Sequence, residues 1–138
     1  MDKIVLTQKL ESLRRCIRRI EEKAPDSPAI LALDADLQDV IVLNLTRAVQ
    51  LSVDLASHII SQTDKPSPST MGATFSTLEE LHVIDQATSD NLRKAVGFRN
   101  IAVHNYEAIN WTIVFNICEN RLVDFRNFAR AIASYAEL

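Results

Sequence analysis

Residues 99–106 read RNIAVHNY, and this short stretch holds the residue types best suited to chemistry. Arg99 offers a guanidinium, whose planar fork of N–H donors matches two phosphate oxygens at once. His104 offers an imidazole, which both takes up and gives up a proton in neutral solution. Asn100 lies four residues before His104, so on a helix the two share a face, and the amide can orient the ring by a hydrogen bond. Arg99 belongs to the neighbouring stripe, where an otherwise apolar run would half-bury its stem and hold its head in place. A proton shuttle and a charge clamp are the minimum for metal-independent cleavage of RNA: the ribose 2′-OH attacks, the imidazole moves the proton, and the guanidinium stabilises the phosphorane charge. The use of the 2′-OH would restrict such an activity to RNA. The same residues also fit a plain helix end, with a histidine complementing the dipole and Tyr106 covering the core.

The rest of the chain must position these groups. It has 138 residues, the length of one domain, and 47% of them are hydrophobic, which excludes a disordered chain. Two glycines and four prolines leave long uninterrupted runs of good helix formers, so an all-α, single-domain fold over 1–138 is expected. Leu6, Leu10, Leu13, Ile17 and Ile20 recur at steps of three and four and place a first helix at about Lys3 to Lys23. A second, long helix is expected from about Ala29 to Ser61. It carries two adjacent apolar stripes (Leu37, Ile41, Asn44, Ala48, Leu51, Leu55, Ile59 and Leu45, Val49, Val53, Ala56, Ile60), so it should be central and should also face a second subunit. Its remaining sector holds Asp39, Arg47, Gln50, Asp54, Ser57 and His58. No Lys or Glu occurs between Ala24 and Asp64, which suggests a lined groove more than a solvated face.

Residues 63–74 (TDKPSPSTMGAT) read as a loop. A capping box at Ser76/Glu79 or Thr77/Glu80 should open a short third helix ending near Ile84. A fourth should begin near Ser89, carry Leu92, Val96, Arg99 and Val103 on one stripe, and fade at His104–Asn105. Asn110 should cap a fifth, with Trp111, Phe115, Cys118, Leu122, Phe125, Ala129 and Ile132 inward.

The net charge of −3 argues against a polycationic nucleic-acid binder, so any contact with RNA must come from a local patch. Residues 1–23 supply one candidate, with seven Lys or Arg against four acids, although a solvated helix face with i,i+4 pairs explains them better. The two cysteines, Cys16 and Cys118, lack CxxC spacing and read as reduced, half-buried thiols of a cytoplasmic protein. No metal-ligand spacing, secretory signal or membrane span is expected, and no cofactor is called for. His58 and His82 read as structural or surface residues.

The order Arg, four residues, His, one residue, Tyr, on the penultimate helix of a small all-α chain, resembles the HEPN family. The likeness is greater to its HepT-type toxins, whose partners are small nucleotidyltransferase (MNT-type) antitoxins. Arg99, Asn100, His104 and Tyr106 carry the resemblance, with the Arg47, Gln50, Asp54, His58 pattern on the second helix. It implies an up-and-down bundle of about five helices that forms a homodimer, with Arg99 and His104 lining a cleft between subunits as an endoribonuclease. Asn100, Arg47 and Asp54 would support the cleft, with Asp54 pairing Arg47 or reaching a cleft arginine. Tyr106 would be the residue that the antitoxin modifies with AMP. The alternatives are a non-catalytic helical module that binds a nucleotide or the nucleotidyltransferase, for which Tyr106 but not His104 would matter, and a plain dimeric scaffold.

Overall fold

The computed structural model describes all residues, 1–138, and every regular element in it is helical. In chain order these are α1 (Lys3–Lys23), α2 (Pro28–Leu33), α3 (Ala35–Ser61), α4 (Met71–Glu80), α5 (Gln86–His104), α6 (Trp111–Asn116) and α7 (Leu122–Tyr135). A 3₁₀ turn (Tyr106–Ala108) joins α5 to α6, and a π-helical segment (Ile117–Arg121) joins α6 to α7. The four long helices close a ring: α1 packs on α3, α3 on α5, α5 on α7, and α7 back on α1. Inside lies one core of 33 buried residues. Helix α4 buttresses α3 and α5, and α2 rests against α6.

Helix α3 is central, as its two stripes require. It touches α1, α2, α4, α5 and α7, and Ile41, Leu45, Ala48, Val49, Leu55, Ala56, Ile59 and Ile60 are all buried. By length and composition it would pass for a membrane span, but 56% of that apolar stretch is buried inside the bundle. Two polar residues on its buried side are satisfied locally. Asn44 Nδ2 donates to the Val40 carbonyl at 2.8 Å, and the Ser52 hydroxyl donates to the Ala48 carbonyl at 2.8 Å.

Four boundaries differ from the sequence expectation. The expected helix from Ala29 to Ser61 is two helices. Asp34 breaks it by ending α2 and capping α3, where its carboxylate accepts the Leu37 N–H at 3.0 Å. An acid in extended backbone competes with helical hydrogen bonding, so it serves better as a cap than within a helix. Helix α4 begins at Met71, not at the Ser76 or Thr77 capping box, because the Thr70 hydroxyl accepts the Ala73 N–H at 3.1 Å. It ends at Glu80 and not near Ile84. His82 takes a left-handed conformation (φ 58), and Val83 N–H bonds back to the Leu78 carbonyl. Helix α5 is capped by Asp85 in place of Ser89, which is fully buried inside it.

Other local readings hold. Asn110 caps α6 by accepting from Thr112 N–H and Ile113 N–H. Cys118, Leu122, Phe125, Ala129 and Ile132 point inward, joined by Val114 and Phe128, the latter edge-on to Phe75 at 5.7 Å. Both cysteines are free, as expected, but they are buried in the core and not half-buried. His58 is half-buried and accepts the Asp2 backbone N–H on Nε2 at 3.2 Å, tying the start of α1 to α3, and His82 is exposed.

Candidate functional site

The 99–106 segment runs through the last turn of α5 into the 3₁₀ turn, and each side chain owes its place to that geometry. Leu92, Val96 and Ala102 are the buried anchors of the α5 face. The expected stripe through Val103 is corrected here: Val103 is 51% exposed, and Ala102 takes the buried place as the helix end swings out of the core. Arg99 sits at the edge of that face with its stem half-buried. Its Nη1 donates to Asn100 Oδ1 at 3.3 Å, and no carboxylate pairs with it. Asn100, Val103 and His104 share the exposed face. Asn100 therefore steadies Arg99 and makes no hydrogen bond to His104, a correction to the expected ring-orienting contact. His104 is the last residue of α5 and points into solvent without a partner in the chain.

Past Asn105 the chain turns sharply. Ala108 N–H bonds the Asn105 carbonyl, and Ile109 N–H bonds the Tyr106 carbonyl at 3.1 Å. Ile109 is buried and anchors the turn, and the Asn110 cap then starts α6. Tyr106 is carried on this turn. Its hydroxyl donates to Asp39 Oδ1 on α3 at 2.7 Å, and its ring lies edge-on to Trp111 with centroids 6.0 Å apart. Desolvation of the phenol, reinforced by the Asp39 hydrogen bond and by the charges of Asp39 and Glu107, pushes its pKa up to about 12. Asp39 was visible in the sequence only as one member of the polar sector of α3. Its pairing with a residue 67 positions away has no local signature.

The two other residues expected to support the site turn towards α1. Asp54 Oδ2 meets Lys9 Nζ at 3.5 Å and Asp54 Oδ1 accepts from Gln50 at 2.9 Å. The expected Asp54–Arg47 pair does not form, because the α1–α3 packing brings Lys9 to the carboxylate first. Arg47 and Gln50 line a groove of about 580 Å³ with Ser12, Arg15, Cys16 and Arg19. Of the polar sector expected to line a groove, only Arg47 and Gln50 do so here; Asp39 and Asp54 belong to other contacts, and Ser57 and His58 lie outside it. Nearby Arg47 and Arg15 partly offset the burial that raises the Cys16 thiol pKa. No hydrogen bond or ion pair connects Arg47 or Asp54 to residues 99–106. A separate groove of about 380 Å³ runs between α5 and residues 108–125, and Arg99, His104 and Tyr106 do not line it. No group of three or more His, Cys, Asp and Glu side chains is gathered in metal-holding geometry.

The arrangement can therefore offer an unpaired guanidinium at the edge of the α5 face, a solvent-facing imidazole at the helix end and a fixed phenol on the turn beyond it. A closed helical ring with Arg-x4-His at the end of its penultimate long helix and Tyr on the turn just beyond is the arrangement of a HEPN-type scaffold. Known proteins agree. The family described as "Ribonuclease HepT-like" matches residues 10–132, and the chain belongs to that family. It is 37% identical over 128 residues to the mRNA nuclease HepT of Shewanella oneidensis, covering 93% of this chain and 96% of that protein. Its fold matches the tri-AMPylated Shewanella oneidensis HEPN toxin, solved in complex with its MNT antitoxin. That match has a TM-score of 0.89 and 36% identity, covering 97% of this chain and 99% of that one. A toxin–antitoxin complex solved with AMP-PNP matches with a TM-score of 0.87 and 36% identity, over 96% and 99% of the two chains.

Proposed function

We propose that this protein is the ribonuclease toxin of a toxin–antitoxin pair, cutting RNA at Arg99 and His104 and silenced when a nucleotidyltransferase adds AMP to Tyr106. The observation that supports the reading is the Arg99, His104, Tyr106 spacing in a chain of the HepT-like ribonuclease family, with Arg99 free of any ion pair, His104 exposed and Tyr106 anchored on Asp39. Arg99 holds the scissile phosphate and stabilises the charge that builds on it. His104 moves the proton between the ribose 2′-OH, the leaving oxygen and water. Asn100 keeps the guanidinium in place. Arg47 and Asp54 support from a distance, Arg47 in the cationic groove and Asp54 by fixing α1 to α3. The chemistry uses side chains alone and needs no metal.

One protomer supplies one histidine on an open surface, and a homodimer completes the cleft. Ile101 and Val103, in the same turns of α5 as Arg99 and His104, are 47% and 51% exposed. Exposed apolar residues in that stretch are surface that a two-fold mate would cover. The partners are RNA, a second copy of the chain and an MNT-type nucleotidyltransferase, and the place of action is the cytoplasm. AMP on Tyr106 would set phosphate charge beside Arg99 and His104 and occupy the space RNA needs.

The test is RNA cleavage in EDTA by the purified, unmodified protein beside His104→Ala. Wild type should cleave and the variant should lose at least about 100-fold in rate while keeping its fold and dimer. Equal cleavage by both would remove His104 from the mechanism. A silent wild type, shown by mass to be free of AMP, would favour a binding module over an enzyme.

A further inference from the structure

We propose that Asp39 is the positioning residue and proton acceptor for the modification of Tyr106, an inference that rests on Tyr106 being the AMP acceptor. The geometry is specific. Asp39 projects from α3 across to the 3₁₀ turn, and its Oδ1 accepts the phenolic O–H hydrogen bond at 2.7 Å. Trp111 holds the ring from α6, so the hydroxyl has one defined direction. Tyr106 is nevertheless 36% exposed, so it stands at the surface where a nucleotide can approach.

The chemistry needs such a partner. Burial and the neighbouring carboxylates keep the phenol protonated, with its pKa pushed up to about 12, so phenolate is scarce near neutral pH. The charged groups acting on it are Asp39 from α3 and Glu107 from its own turn. In the transfer, Tyr106 Oη bonds to the α-phosphorus of ATP, the bond from that phosphorus to pyrophosphate breaks, and pyrophosphate leaves with the electron pair. The phenolic proton passes to the Asp39 carboxylate as the new bond forms, and then to solvent. The nucleotidyltransferase brings ATP, and the toxin brings the acceptor with its base already in place. The product keeps no hydroxyl donor, and a phosphodiester carries charge of the same sign as Asp39. The modified side chain must therefore leave its seat on α3.

The experiment uses the full chain with ATP and the Shewanella oneidensis MNT antitoxin as the probe, reading AMP addition by intact mass between pH 7 and 9.5. Wild type should gain AMP at a rate nearly independent of pH, and Tyr106→Phe should gain none. Asp39→Asn should be slower by about 100-fold. Its rate should climb about 10-fold per pH unit as phenolate replaces the lost base, and Asp39→Glu should recover much of the wild-type rate. Asp39→Asn should also bring the phenol titration in the ultraviolet, measured against Tyr135, down towards the ordinary tyrosine value. An Asp39→Asn rate within threefold of wild type overturns the proposal. So does a slow variant that neither Glu nor higher pH restores, since that is the mark of a purely structural contact. An unmodified wild type, or a modified Tyr106→Phe, overturns the acceptor reading beneath it, and with it the role of Asp39.

Discussion

Replacing Arg99 by alanine separates a clamp on phosphate from a strut of the fold, because the two roles differ in size. Within the chain, the guanidinium makes one exposed hydrogen bond, at 3.3 Å to Asn100, and no ion pair. A long, solvated bond of that kind contributes no more than about 0.5 kcal/mol. Half-burying the stem adds roughly 1 kcal/mol at about 0.8 kcal/mol per fully buried methylene. Alanine returns part of this as better helix propensity. The net cost is therefore about 1 kcal/mol, a loss of a few degrees in Tm for a chain of this size, and the variant stays almost wholly folded at 25 °C. The loss at the transition state should be larger, because a donor aimed at developing charge is worth about 2.7–4 kcal/mol, or about 10²–10³ in rate. The assay pairs kcat/KM on a single-stranded fluorogenic RNA in EDTA with a thermal melt of the same sample. A drop in kcat/KM of less than fivefold would refute the clamp, as would a melt showing the variant unfolded at the assay temperature. Arg99→Lys, which keeps the charge and loses the fork, should fall between wild type and alanine, and wild-type activity from lysine would refute bidentate contact.

Two further predictions concern the frame around the site. Burial pushes the Cys118 thiol up to about 11, with Glu119 adding to it, and raises Cys16 as well, where Arg47 and Arg15 work in the opposite direction. Native protein at pH 8 should resist alkylation by iodoacetamide at both positions and react fully once unfolded, with Cys16 slightly ahead of Cys118. Because the folded state holds the Cys118 proton more tightly than the unfolded chain, its contribution to stability is complete below about pH 9 and is lost as the pH rises towards about 11. Urea midpoints that are flat across that interval in wild type, compared with Cys118→Ala, would contradict the shift. Asp124 is 7% exposed and accepts from Arg121 at 2.9 Å and Asn91 at 3.2 Å, joining the π-helical segment to α5. Asp124→Ala strands those donors and should cost about 1–3 kcal/mol in urea unfolding, and a loss under 0.5 kcal/mol would show the network to be idle.

Much of what near neighbours in the chain set was legible beforehand, though the caps at Asp34, Thr70 and Asp85 were not. Apolar steps of three and four fixed α1, α3 and the inward face of α6 and α7, because a helix repeats every 3.6 residues whatever surrounds it. Asn110 was readable as a cap from the residues beside it, and Asp34 and Thr70 carried the same signal, although longer apolar periodicity and a nearby capping box obscured them. The Arg99, His104 and Tyr106 set stood out because one helix end displays all three. The bulge at Ile117–Arg121 left no local mark, since apolar residues on both sides read as one unbroken helix. The partnerships across the bundle were beyond reach as well. Asp54 lies 45 residues from Lys9, and Asp39 lies 67 from Tyr106. A short polar side chain carries no periodicity that names its partner; only the packing of α1 on α3, and of the 3₁₀ turn against α3, decides which donor arrives within 3.5 Å. The sequence thus determined which groups could do the chemistry. Tertiary structure alone decided that Arg99 stays unpaired, that His104 faces water, and that the hydroxyl of Tyr106 rests on a carboxylate.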